Sequence, residues 1–254
     1  MRVSYSKIST WNECPFKYML AYIEKLETIE DTSPTNALYI GTAVHEGIEK
    51  RSVDAAVESY KSNFTELTPE HEFEIEKLKV MTQKAIEQIP ECEEYERVLN
   101  VADEYIGFID GLKKNEDGTY DIYDFKCTNN IGGYKDSPQV HLYKYYLERL
   151  TDKKVRDLYY VFIPKATIKL NESLDNKQEI LEDLAKRDIH FEKVEYNRDH
   201  INYFFARKAM MEKATTFPKR PNRFCNWCQY HRFCQSNGAD RSELKESSIQ
   251  KLEN

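Results

Sequence analysis

The stretch "YERVLNVADEYIGFIDGLKKNEDGTYDIYDFKCTN", residues 95–129, is rich in β-branched and aromatic residues and carries the turn signal "NEDG" at Asn115 to Gly118 between two short runs. It reads as three antiparallel strands. "SPQVHLYKYYLERL" then returns to helical spacing, with Pro138 near its start, and "VRDLYYVFIP" is a fourth strand stopped by Pro164. A helix leading from antiparallel strands into a further strand predicts a mixed sheet of the α/β class. "IHFEKVEY" fits one more strand, and "RDHINYFFARKAMMEKAT" a helix leading to a cysteine-rich segment.

The residues before Tyr95 read as helical. Ile8, Trp11, Tyr18, Tyr22 and Leu26 lie near helical spacing, with Pro15 an interruption or the first turn of a second helix. "TNALYIGTAVHEGIEKRSVDAAVESYKSNF" is one long helix or two, and Pro69 and Pro90 bound a third helical stretch. The expected organisation is a helical region over 1–92, a core over 93–215, a cysteine segment over 216–236 and a flexible polar tail over 237–254. At 254 residues such a chain has enough interior to need no disulfide staples.

Two strand-like runs end in acids. "GFIDGL" places Asp110 after an apolar run, and "YDIYDFK" places Asp124 two residues before Lys126. Alternate residues of a strand share a face, so Asp124 and Lys126 point together. If the strand of Asp110 pairs with that of Asp124, two carboxylates and an ammonium meet at one end of a sheet. That is a site for a hard cation such as Mg²⁺ or Mn²⁺, with a lysine to hold an attacking water or offset charge on a phosphate oxygen. Each residue alone has a bland reading: D-x-K is common on solvated strands, and Asp110 in I-D-G fits a turn. His45 in "GTAVHEGIE" fits a structural helix residue, and Gln139 and Tyr143, four apart in "QVHLY", share one helix face through packing alone. Only their combination is informative.

"FCNWCQYHRFC" offers three thiolates, Cys225, Cys228 and Cys234, where a soft metal site takes four ligands. His231 inside the segment is one completion, giving zinc with three thiolates and an imidazole. Cys127 points to the strand face opposite Lys126 and reads as a core thiol, while Cys92 has no evident partner.

Taken in order, the chain reads C…GTxxH…GxxD…DxK…QxxxY…CxxC…C. In this it resembles the RecB-type nucleases of the PD-(D/E)XK superfamily, in the iron-sulfur branch that includes the Cas4 proteins and the AddB nuclease domain. The resemblance implies a restriction-endonuclease-like core, a central mixed sheet flanked by helices, with N-terminal helices and a C-terminal segment tied by an iron-sulfur cluster. It implies His45, Asp110, Asp124 and the backbone carbonyl of Phe125 as ligands of Mg²⁺ or Mn²⁺, Lys126 as the catalytic lysine, and Gln139 and Tyr143 as residues that position nucleic acid. It also implies that Cys14 joins Cys225, Cys228 and Cys234 as the four ligands of a 4Fe-4S cluster. An acid often found on the first strand of such proteins is matched by both Glu94 and Glu96.

The implied function is metal-dependent DNA exonuclease action at ends, with single-stranded DNA preferred, in recombination or repair, phage DNA metabolism or CRISPR adaptation. The chain shows no P-loop, so unwinding would fall to a helicase or a recombination or integration partner. The rival readings are a non-catalytic nucleic-acid-binding adaptor that keeps the fold and cluster, and a zinc-stabilised binding protein. With 37 basic against 44 acidic residues and a net charge of −7, the whole surface is not a nucleic-acid coat. A local basic track, from Lys219, Arg220 and Arg223 or from Lys153, Lys154 and Arg156, stays open, as do Tyr134 and Tyr145 as rings for unpaired bases. The absence of a long apolar run predicts a soluble, cytoplasmic protein without a membrane partner.

Overall fold

Caps and prolines set where the helices of this chain begin. The computed structural model describes residues 1–134, 136–171 and 173–253. The helices are α1 (Tyr5–Glu13), α2 (Pro15–Tyr18), α3 (Ala37–Glu49), α4 (Val53–Lys61), α5 (Pro69–Gln88), α6 (Gln139–Leu150), α7 (Lys177–Ala185), α8 (Asp199–Glu212), α9 (His231–Gln235) and α10 (Glu246–Glu253). The strands are β1 (Glu94–Val101), β2 (Tyr105–Lys114), β3 (Tyr120–Cys127), β4 (Val155–Ile163) and β5 (His190–Val194). Ser4 caps α1 by accepting the Lys7 N–H at 3.1 Å, Asn36 caps α3 by accepting the Leu38 N–H at 2.9 Å, and Pro69 follows Thr68 at the start of α5. The "GTAVHEGIEKRSVDAAVESY" run is two helices, because Arg51 turns at φ +49° and Ser52 starts α4 afresh.

The chain forms two compact units. One holds Thr32–Asn100 and Gly107–Ile201; the other holds Met1–Asp31, Val101–Ile106 and Asn202–Asn254. The helical region expected over 1–92 is therefore divided: its first 31 residues group with the C-terminal segment, and α3 to α5 belong with the sheet. Among the described residues, no helix is long and apolar enough to cross a membrane.

The sheet runs β1-β2-β3-β4-β5. β2 and β3 are antiparallel, with Gly111 opposite Tyr123; β3 and β4 are parallel, with Asp124 opposite Tyr160; β4 and β5 are antiparallel. The parallel step is made by α6, which packs on both strands it connects. The "NEDG" turn closes as expected, with Gly118 at φ +83°, where a residue with a Cβ would be strained. Tyr120 to Phe125 are buried without a break, as a central strand covered on both faces requires. Tyr123 and Phe125 pack with Val44 and Ile48 of α3 and with Ile75, Leu78 and Ala85 of α5.

In the other unit, Trp11 of α1 stands edge-on to Tyr18 at 5.5 Å and to Phe217 at 6.0 Å. A second cluster joins Leu20, Leu26, Tyr230, Phe233 and Leu244, and the Tyr230 hydroxyl donates to the Leu26 carbonyl at 2.7 Å. The segment expected as a flexible tail is packed here. Leu244 is buried and bridges Thr28, the Lys245 N–H donates to the Glu27 carbonyl at 2.9 Å, and the Glu27 N–H donates to Ser248 at 2.7 Å. Its polar composition concealed one anchor: burying a leucine contributes about 2 kcal/mol, and the backbone bonds fix the rest.

Gly47 sets how closely α3 lies on its neighbours. A Cβ there would stand 2.5 Å from Thr82 Cγ2 of α5 and 2.8 Å from Ala56 Cβ of α4. Gly47→Ala is expected to destabilise the protein by roughly 1–3 kcal/mol, read as a lower urea midpoint. An unchanged midpoint would show that the three helices have slack.

Candidate functional site

The ladder between β2 and β3 brings Gly111 opposite Tyr123, and past that pair the Phe125 N–H donates to the side chain of Asp110, at 2.6 Å from Oδ2. The other end of the same residue is held from α3: His45 Nε2 lies 3.1 Å from the Phe125 carbonyl. With the Nε2 proton on that oxygen, Nδ1 faces two acids, at 3.8 Å from Glu96 and 3.9 Å from Asp110. Gly111 permits this closeness, since a Cβ there would meet Cys92 Sγ at 2.8 Å and Phe125 Cζ at 3.0 Å. Cys92 is thus a core thiol. Burial pushes it up to about 12, and does the same to Cys127 on the core face of β3.

Asp124 and Lys126 do share a face of β3, with Nζ 2.5 Å from Asp124 Oδ2. Asp124 is fully buried, and its Oδ1 has no hydrogen-bond partner among the described residues. Such an orphaned carboxylate oxygen costs several kcal/mol unless something else takes it. Lys126 also lies 5.8 Å from the centre of the Tyr134 ring, which packs on Tyr160 and Phe162. On α6, Gln139 Nε2 donates to the Tyr143 hydroxyl at 2.8 Å, as four-residue spacing on a helix allows.

The electrostatics of the pocket have one sign. Burial raises the carboxyl of Asp110, Asp124 raises it further, and His45, Lys126 and the Phe125 N–H do not offset them, leaving it at about 7. At His45 and Lys126 burial works against the charge, but nearby carboxylates outweigh it and both cations are held above their ordinary values. Cations and acid shifting upward together mark a pocket with more negative charge than it can neutralise. His45, Glu96 and Asp110 each offer a ligand atom, all within 4.8 Å of one another. Imidazole and carboxylate donors beside an unpartnered buried oxygen fit a divalent cation held by nitrogen and oxygen.

Sequence alone left Glu94 and Glu96 equivalent, and the structure separates them. Glu94 is held by Lys153 at 2.9 Å and Arg97 at 3.0 Å, while Glu96 adopts φ +46° and turns to His45. A left-handed glutamate costs of order 1–3 kcal/mol, a strain that clusters at functional sites. Two of the three cations of the second proposed basic track, Lys153, Lys154 and Arg156, are paired: Lys153 with Glu94, and Arg156 with Asp121 at 2.8 Å and Asp157 at 3.3 Å.

In the other unit, Cys14, Cys225, Cys228 and Cys234 line one cavity of about 40 Å³ together with His231. Cys14 is extended between α1 and α2, the conformation that the following Pro15 favours. All four are free thiols, and burial raises Cys228 and Cys234, so metal capture there would release protons. The Asn222 N–H donates to Cys225 Sγ at 3.3 Å, and His231 Nδ1 lies 2.7 Å from the Cys225 carbonyl.

The family model of the PD-(D/E)XK nuclease superfamily matches residues 2–235. The chain belongs to the PD-(D/E)XK nuclease superfamily. A solved structure of a candidate exonuclease from Eubacterium rectale is similar in fold, with a TM-score of 0.57 at 13% identity over 98% of this chain and 92% of that one. A second, SSO0001, covers 91% of this chain and 95% of its own at 12% identity, but its TM-score of 0.35 is too low to argue from. No curated protein matches the chain in sequence. Membership accounts for the mixed sheet and the acidic pocket at β2 and β3, and makes nucleic acid the substrate class.

If Glu96 and not Glu94 faces the cation, Glu96→Gln will weaken Mn²⁺ binding by at least about tenfold in isothermal titration, and Glu94→Gln will leave it within about twofold. Equal losses in both variants would contradict the assignment.

Proposed function

We propose that the chain is a metal-dependent DNA exonuclease that hydrolyses phosphodiester bonds at DNA ends and prefers single-stranded DNA. The observation that carries this is the set of groups arranged about Phe125: the converging ligand atoms of His45, Glu96 and Asp110, the buried unpartnered oxygen of Asp124, and Lys126 against Asp124. Membership of a nuclease superfamily and the likeness in fold to a candidate exonuclease support it.

His45, Glu96, Asp110 and Asp124, with the Phe125 carbonyl, are the residues to hold Mg²⁺ or Mn²⁺. When bound, such a cation supplies Lewis-acid charge to a phosphodiester. Lys126 brings an ammonium on the same strand face, able to donate hydrogen bonds from Nζ to a phosphate oxygen or to an attacking water. Asp124 keeps that Nζ in place. Gln139 and Tyr143, bonded to each other on α6, orient the nucleic acid.

A 4Fe-4S cluster on Cys14, Cys225, Cys228 and Cys234 is the second part of the reading. The four cysteines line one cavity, and a backbone N–H donates to one of the sulfurs.

The test uses end-labelled single-stranded DNA with Mg²⁺ or Mn²⁺ and protein purified anaerobically, expected to hold about four irons per chain. Wild type shortens the DNA. Lys126→Ala keeps its iron and loses at least about 100-fold in rate. Equal cleavage by Lys126→Ala, or intact DNA with iron-replete wild type, would contradict the proposal.

A further inference from the structure

Trp227 is the most exposed large apolar side chain among the described residues, at 79%, and Phe224 beside it in sequence is 48% exposed. Both border one open hollow with Ser9, Asn12, Glu13 and Lys17, of which Glu13 and Lys17 pair with each other at 3.1 Å. A tryptophan buried only to this extent contributes little to folding, yet presents a wide ring to solvent. The cysteine pocket does not explain it, since Trp227 is not among the residues lining that pocket.

The surrounding charge is equally out of character. From Lys213 to Ala239 the chain carries Lys213, Lys219, Arg220, Arg223 and Arg232 and no aspartate or glutamate, five positive charges within a chain of net −7. Among the described residues none of these five forms an ion pair, in contrast to Lys153 and Arg156. Lys219 donates to the Cys234 carbonyl at 2.6 Å and to Asn237 at 2.7 Å, Arg220 donates to the Asn12 carbonyl, and the Arg223 guanidinium lies 4.8 Å from the Phe224 ring centre. These neutral partners hold the side chains while leaving their charge uncancelled. Exposed rings among uncancelled cations are the make-up of a surface for single-stranded nucleic acid, where bases stack and phosphates meet guanidinium groups.

We infer that Trp227 and Phe224, with Arg220 and Arg223, form a contact for single-stranded nucleic acid separate from the acidic pocket. It rests on the nuclease reading, since it names a further place where that substrate is held. Unpaired bases stack on Trp227 and Phe224, and Arg223 serves an adjacent phosphate. A protein partner is the alternative occupant.

The experiment measures binding without cleavage. A fluorescein-labelled oligothymidylate is titrated by anisotropy in EDTA, with iron content checked in every variant. Trp227→Ala is expected to weaken binding about 5- to 100-fold, Trp227→Phe to restore most of it, and Arg223→Gln to flatten the salt dependence by about 0.7 in the log–log slope. Trp11 is buried, so quenching of the intrinsic fluorescence by the oligonucleotide should arise at Trp227. Unchanged affinity in an iron-replete Trp227→Ala protein overturns the inference, leaves the nuclease reading standing and points to a protein partner. Wild type that binds no single-stranded DNA overturns both.

Discussion

The two peptide groups that flank the Phe125 Cα are the constraint on which the acidic pocket depends. The Phe125 N–H is taken by the carboxylate of Asp110 from β2 and its carbonyl faces the imidazole of His45 from α3. Because both amides are planar and successive residues alternate faces, fixing the N–H and the carbonyl of Phe125 also fixes Asp124 and Lys126 on the side opposite the Phe125 ring. That ring is clamped in turn by core packing against α3 and α5. The acidic pocket and the hydrophobic core thus lie on two faces of one strand. A mutation that loosens the ring's packing would also move the carboxylates.

The cost of this arrangement is electrostatic. Asp110, Asp124 and Glu96 outnumber His45 and Lys126, and burial of Asp110 and Asp124 keeps water from screening their charge, while Glu96 faces solvent. The strain at Glu96 and the unpartnered oxygen of Asp124 lie in the same pocket, so backbone, hydrogen-bonding and charge imbalances coincide. A divalent cation would offset the charge excess and give the Asp124 oxygen a partner. In the second unit the corresponding device is four thiols around one cavity, drawn from both ends of the chain.

Much of this could be read from residue order because the relevant signals are local. The "NEDG" turn, the β-branched runs and the helical spacing between Pro138 and Leu150 gave the mixed sheet, and strand alternation alone placed Asp124 beside Lys126. Choices that depend on distant partners could not be read so. Glu94 and Glu96 are two apart and would share a face in a regular strand; only the left-handed turn at Glu96 separates them. Lys153 and Arg156 resemble a basic track until Glu94, Asp121 and Asp157 fold against them. The polar C-terminal stretch gave no hint that Leu244 would be buried, since its contacts come from residues near position 27. Cys14 was linked to the other cysteines through family resemblance, because no local pattern points across the length of the chain.

The most direct test of the account is the anomalous scattering of Mn²⁺ in crystals grown with that ion. A single strong peak, or a close pair, is expected within about 2.0–2.3 Å of carboxylate oxygens from Asp110, Asp124 and Glu96 and of a His45 nitrogen. Manganese bound elsewhere while these four side chains stay as they are would contradict the central claim that the pocket around Phe125 is built for a cation.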